Sequence, residues 1–202
     1  MPEPPPPARC RWAGADPLNI GYHDREWGLP ETDEHRLFEM LTLEGAQAGL
    51  SWLTILRKRE GYRRAFCGFD PARVAALDAK AVDRMVSDPA IVRHRGKIES
   101  TINNAQRITA LWDQGSSLSD VTWDAVDRTP ILNRWKSLKE IPAQTEASRA
   151  LSKRLKSLGF RFVGPTTCYA YMQAAGLVND HEVDCFRHAE CAKAAAEFFP
   201  DS

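Results

Sequence analysis

Apolar residues recur along this chain at intervals of three and four, the spacing that lines one face of an α-helix. From Asp33 to Ala48 the series is Leu37, Met40, Leu41, Leu43 and Ala48, behind a Thr-Asp pair that can cap a helix. Gly49 stops it, and Ser51 can cap a following helix that carries Trp52, Leu53, Ile55 and Leu56. Asp70-Pro71 opens another, with Val74 and Leu77, and a short one spans Ala81 to Val86, ending near Asp88-Pro89. Arg95 to Trp112 reads as a long helix with Ile98, Ile102, Ala105, Ile108 and Leu111 on one stripe. The stretch 115–145 is less regular, punctuated by Gly115, Pro130 and Pro142. Thr145 to Leu158 is helical again, with Ala150, Leu151 and Leu155 on one face. Residues 10–28 read as a turn-rich, non-helical stretch. There is no strand alternation, internal repeat or long linker. The pattern predicts an all-α single domain of about seven or eight helices.

Composition adds limits. A chain of 202 residues, 43% hydrophobic and 27% charged, fits one well-buried domain. No apolar run approaches the roughly 20 residues of a membrane span. The start, MPEPPPPARC, lacks the apolar core of a signal peptide and reads as a disordered proline-rich tail over 1–9. A cytoplasmic location follows as the expectation, with five cysteines as reduced thiols or metal ligands. The zero net charge argues against a generic nucleic-acid binder and leaves room for a local basic face. Three stretches qualify: 57–64, 93–97, and 149–161 with its five basic residues. Each is as simply read as a solvated helix face.

Four features could carry chemistry. Cys10 and His23 lie near one end, His181 and Cys185 near the other, the ligand types of a closed tetrahedral zinc site. A helix would put His181 and Cys185 on one face. Chance pairing among five Cys and five His, or a Cys10–Cys185 disulfide, explains the residues as well. Next, a Lys- and Arg-rich helix stops at Gly159, GFRFVG turns, and Pro165 starts an apolar helix. Such a corner at 152–176 can offer free backbone N–H groups to a phosphate, or be an ordinary helix corner. Third, Glu44 lies four residues after Met40 and three after Leu41, on the apolar stripe. A buried, unpaired carboxylate costs several kcal/mol or neutralises itself, so Glu44 needs a partner or a task. With Gly49, Leu50 and Trp52 it resembles the lip of a pocket. Last, Trp12, Tyr22 and Trp27 sit in a polar segment, where they can stack on a flat electron-poor ligand or simply cover the next helix.

Together YHDREWGLPETD, LFEMLTLEGAQAGLSW, IVRHRGKI, GFRFVG and CYAYMQAAGLVNDH, in that order, resemble the bacterial 3-methyladenine DNA glycosylase I family. The resemblance runs from about Cys10 to Cys185. It implies a helix-hairpin-helix fold and hydrolytic release of 3-methyladenine from double-stranded alkylated DNA by a monomer. It implies one structural zinc on Cys10, His23, His181 and Cys185, in preference to sets using His188 or Cys191. It implies that Glu44 is the pocket carboxylate and that Tyr22, Trp52, Trp12 and the position of Asn19 bind the flipped base. Gly49 and Leu50 would approach the DNA, with Gly159, Gly164, Thr166 and Thr167 of the hairpin on its backbone. Asn19 and Ala46 depart from the Tyr and Gln of some members. Asp180 is expected to support His181 and receives no catalytic role. Relatives that also cut the strand carry Lys where Thr166 stands, so the resemblance implies base removal without strand cleavage. The domain is expected over 10–188, with 189–202, which holds Cys191, as a variable extension.

Overall fold

The computed structural model describes residues 7–198. Ten helices form among them. They are α1 (Pro17–Arg25), α2 (Glu34–Gln47), α3 (Trp52–Ala65), α4 (Pro71–Ala75), α5 (Ala79–Val86), α6 (Arg95–Trp112), α7 (Leu118–Trp123), α8 (Glu146–Ser157), α9 (Pro165–Ala174) and α10 (Phe186–Phe198). Their starts are written locally. Asp16, Asp33, Ser51, Asp70, Asp78, His94, Ser117 and Thr145 each accept a backbone N–H from the first turn. These caps also set where the site residues begin.

The fold is built around α2. Every residue from Leu37 to Ala46 is buried, so over that span the helix has no solvent face. α3, α6, α7 and α9 pack around it, α4 lies on α6, and α8 lies on α9. Burial of Leu37, Phe38, Met40, Leu41 and Leu43 stabilises by about 1.5–3 kcal/mol each. The same helix carries two buried carboxylates, Glu39 and Glu44.

The structure departs from the sequence reading at four places. Residues 10–28 are not free of helix: a 3-10 turn (Arg11–Ala13) precedes α1. Asp16-Pro17 starts α1 as Asp70-Pro71 starts α4. Its few apolar residues leave almost no periodic signal. Within 115–145, α7 forms and Ile131–Leu132 (β1) pairs in parallel with Val178–Asn179 (β2), a bridge too short for alternation to mark. Of the tail expected over 1–9, residues 1–6 lie outside those described. Ala8 and Arg9 are held, through Phe186 N–H to Ala8 O at 3.1 Å and an Arg9–Asp24 ion pair at 2.8 Å. The boundary expected at 188 falls within α10, whose Cys191 is fully buried.

Candidate active site and metal cluster

The N-terminal aromatics meet Glu44 at a cavity of about 250 Å³. Trp12 comes from the 3-10 turn, Tyr22 from α1 and Trp27 from the loop behind it. Glu44 and Gln47, three apart on α2, form one wall, and Trp52, the first residue of α3, another. Leu138, Ile141, Ala170 and Gln173 complete the lining. Tyr22 and Trp52 stand 5.0 Å apart between ring centroids, and Trp12 and Trp27 also 5.0 Å. Trp12 Nε1, Tyr22 Oη and Trp52 Nε1 are buried without a hydrogen-bond partner among the described residues. Buried polar atoms are nearly always paired, so three orphans around one cavity mark a place made for a ligand.

Glu44 accepts no hydrogen bond and joins no ion pair among the described residues, and burial pushes its carboxyl up to about 8. It is therefore largely protonated at neutral pH while the cavity holds no cation. Burial, then the nearby Glu44, raise the Tyr22 phenol well above its ordinary range, so it stays a donor. Glu39 behaves oppositely. Burial pushes it up, but hydrogen bonds from Arg59 and Arg63 outweigh that and hold it below the usual range. Arg36 also donates to Glu39, at 2.8 Å, and Arg36 and Arg59 both bridge to Glu26.

Asn19 lies on α1, one turn before Tyr22, with its Oδ1 buried and unpaired, and does not line the cavity. Ala46 faces the other side of α2, in a narrow cleft against α6 and Arg161–Phe162. Leu50 is 41% exposed at the α2–α3 turn. Lys97 Nζ, at the end of the basic stretch 93–97, donates inward to Ala46 O and Ala48 O at 2.8 and 2.7 Å and steadies that turn.

The corner at 152–176 is a helix–turn–helix of α8 and α9. Asn103 Nδ2 donates to Gly159 O, Asn104 bonds both the N–H and the carbonyl of Arg161, and Ser152 Oγ donates to Val163 O. The turn is thus fixed from two helices. Gly164 and Pro165 start α9 without a side-chain cap, and the N–H groups of Thr166 and Thr167 meet no acceptor among the described residues. The basic stretches differ. Arg57, Arg59, Arg63 and Arg95 are ion-paired internally. Arg149, Lys153, Arg154, Lys156 and Arg161 form no ion pair among the described residues.

Against the aromatic wall, where Trp27 meets the His181 ring at 4.6 Å between centroids, Cys10, His23, His181 and Cys185 bring one ligand atom each to within 4.8 Å of one another, all buried. Cys10 Sγ lies 3.4 Å from His181 Nδ1, and Cys185 Sγ 3.4 Å from His23 Nε2. A zinc tetrahedron with bonds of about 2.05 and 2.3 Å has N···S edges of about 3.6 Å, so donor set and spacing fit. No disulfide joins these thiols. His23 Nδ1 bonds Asp24 Oδ1 at 2.8 Å and His181 Nε2 bonds Trp27 O at 3.0 Å, which leaves the other nitrogen of each ring toward the cluster. The hydrogen bond from Cys10 first, then those from His181 and His23, hold Cys185 as the more acidic thiol.

The expected helix linking His181 to Cys185 is absent. Both lie in the turn before α10, and β2 rather than helical spacing places His181. Asp180 does not support His181 through its side chain. Its carboxylate is taken by Asn133, Trp135, Tyr169 and Gln173. Gln173, Leu138 and Ile141 were missed in the sequence, where an amide on an apolar helix and two aliphatics in an irregular stretch carry no signal. Asp24 was legible as the neighbour of His23.

Residues 12–188 match the methyladenine glycosylase family profile. The DNA-3-methyladenine glycosylase 1 of Escherichia coli K12 is 54% identical over 177 residues, 88% of this chain and 95% of that protein. A solved 3-methyladenine DNA glycosylase I superposes with a TM-score of 0.87 at 53% identity, covering 89% of this chain and 98% of the other. The Staphylococcus aureus enzyme, solved to describe its recognition of 3-methyladenine, gives 0.84 at 39% identity, over 88% and 95% of the two chains. This chain belongs to the methyladenine glycosylase family.

Proposed function

We propose that this chain hydrolyses the N-glycosidic bond of 3-methyladenine in alkylated double-stranded DNA, leaving an abasic site and an uncut strand. The observation that carries the reading is the unpaired, buried Glu44 on the wall of an aromatic cavity. Methylation at N3 makes the base a cation and weakens its bond to the sugar. A cation beside Glu44 restores the carboxylate, and the two attract across a cavity of low polarity. Neutral adenine offers no such gain, so the same pocket rejects it.

Taking the nucleotide out of the stack costs a few kcal/mol. Stacking on Tyr22 and Trp52 returns roughly 1–3 kcal/mol per base, more for a cationic base on electron-rich rings. Trp12 forms the far wall, and Asn19, one turn before Tyr22 on α1, stays outside the lining. Because the charged base is already a good leaving group, little general-acid help is needed; Glu44 chiefly binds and orients the base rather than deprotonating the water that attacks the sugar carbon as the base departs. Gly49 and Leu50 enter the vacated position. The 152–176 corner serves as a helix-hairpin-helix: Gly159 and Gly164 let a phosphate approach the free N–H groups of Thr166 and Thr167, and the unpaired α8 cations flank it. Thr166 offers no amine for a covalent adduct with the sugar. Cys10, His23, His181 and Cys185 would hold one zinc ion with all four positions filled by protein, so the ion ties the chain ends together and takes no part in hydrolysis. The catalytic unit is the monomer, acting in the cytoplasm, as one domain that starts near residue 10 and takes in α10.

Base release from methylated DNA tests the reading. The unaltered protein releases 3-methyladenine, Glu44→Gln loses about a hundredfold or more, and borohydride traps no adduct. Unchanged release by Glu44→Gln removes Glu44 from the mechanism, and a trapped adduct refutes the uncut strand. Metal analysis should return one zinc per chain.

A further inference from the structure

Asp180 is almost fully buried and spends its whole carboxylate on side-chain donors. Oδ1 accepts from Asn133 Nδ2 at 2.6 Å and Trp135 Nε1 at 2.7 Å. Oδ2 accepts from Tyr169 Oη at 2.5 Å and Gln173 Nε2 at 2.8 Å. A carboxylate only accepts, so each partner must present a hydrogen. For Tyr169 and Trp135 this only fixes a rotor or a ring, and the amide of Asn133, fixed in the same way, does not line the cavity. For Gln173 it decides which end of the amide faces where.

Gln173 lies between Asp180 and the aromatic cavity, whose wall it forms with Ala170 one turn earlier on α9. With Nε2 committed to Asp180, the amide carbonyl is the group left over, and Gln173 Oε1 accepts no hydrogen bond among the described residues. The orphaned groups of Trp12, Tyr22 and Trp52 around the same cavity are all donors or donor-acceptors on aromatic rings. Gln173 Oε1 differs from them as a neutral acceptor that cannot turn into a donor while Asp180 holds its other end.

We infer that Asp180 is a positioning residue that turns the side-chain carbonyl of Gln173 into the base cavity, where it accepts from the exocyclic amino group of an adenine-type base. Adenine carries an amino group on the edge where guanine carries a carbonyl oxygen. An acceptor locked in place favours the first and leaves the second facing an oxygen. Gln173 is then a specificity residue among methylated purines, distinct from the response to positive charge assigned to Glu44. This rests on the function proposed above and separates from it in one experiment.

Kinetics of release from DNA carrying 3-methyladenine or 3-methylguanine would be compared for the unaltered protein, Gln173→Met and Asp180→Asn, each checked for metal content and melting temperature. Met keeps length and removes the acceptor. Asn can donate to Gln173 and so lets its amide reverse. Both variants should lose about tenfold or more in kcat/KM for 3-methyladenine, while 3-methylguanine release stays within about twofold, so the preference shrinks. Equal loss on both lesions would make Gln173 and Asp180 ordinary wall residues and overturn the inference, as would unchanged preference in correctly folded Gln173→Met. If the unaltered protein releases no 3-methyladenine at all, the proposed function itself fails.

Discussion

Glu39 and Glu44 lie five residues apart on one buried helix and titrate in opposite directions. Three arginines surround the first, and none reaches the second. Burial is common to both, so the difference comes from the partners alone. One carboxylate is part of the scaffold, and the other is held ready for a charge that arrives from outside.

Glu44 makes the free protein less stable as the pH rises. Its carboxyl titrates at about 8 in the folded chain against 4.5 when unfolded. Between those values the folded state holds the proton and the unfolded state does not, so this group's contribution falls from pH 4.5 to 8 and is level beyond. Glu44→Gln has no such titration. It should match the parent near pH 5 and exceed it by about 1–3 kcal/mol at pH 8 in urea unfolding. The same gap at both pH values would refute this.

Arg59 is the hub of the opposite arrangement. It donates to Glu39 at 2.9 Å and to Glu26 at 2.7 Å from a nearly buried position. Arg59→Met leaves both acids short of a partner in low dielectric and should cost about 3 kcal/mol. One molar salt should reduce that loss only slightly, because buried pairs are poorly screened. Denaturant midpoints of both proteins with and without salt give the answer.

Asp24 fixes the ring of His23 by accepting from Nδ1, and Arg9 in turn fixes Asp24. Asp24→Ala should weaken zinc binding about 10–100-fold, read by competition with a chelating dye. Melting should then shift for the metal-loaded protein far more than for protein stripped by chelator. Equal shifts in both forms would mean that Asp24 serves the fold rather than the cluster.

Gly176 has a φ of +73°, and a Cβ there would come within 2.4 Å of the backbone at Leu29 and Pro30. Gly115 has nearly the same φ, +72°, with nothing within 4 Å. Gly115→Ala should therefore cost only the left-handed backbone, about 1–2 kcal/mol. Gly176→Ala also forces α9 away from the segment behind Trp27 and should cost clearly more, about 3 kcal/mol or above. Thermal melts of the pair isolate the clash from the backbone.

Much of this was legible because it is local. Capping residues and apolar spacing gave α2, α6 and α8 nearly to their ends and the start of α3, and Glu44 stood out as an acid on an apolar stripe. Helix α1 was hidden because its apolar residues are too few to show a period, although Asp16-Pro17 was the same signal that opened α4. His181 and Cys185 meet without the helix that their spacing suggests, since a two-residue bridge to Ile131–Leu132 sets their course. The part of Gln173 was invisible for a different reason. A glutamine on an apolar helix acquires direction only from Asp180, seven residues on and folded back over it.

The cluster joins residue 10 to residue 185, and the aromatic wall between them borrows Gln173 and Ala170 from nearly the same distance along the chain. During synthesis Trp12, Tyr22 and Trp27 therefore wait for Ala170 and Gln173 until almost the whole polypeptide has left the ribosome. The loop they must close spans nearly the full chain, so this contact forms slowly and last. A nascent or truncated chain lacking its final helices has α2 with Glu44 on it but no finished cavity. Such a fragment lacks the part of the cavity wall that Ala170 and Gln173 supply.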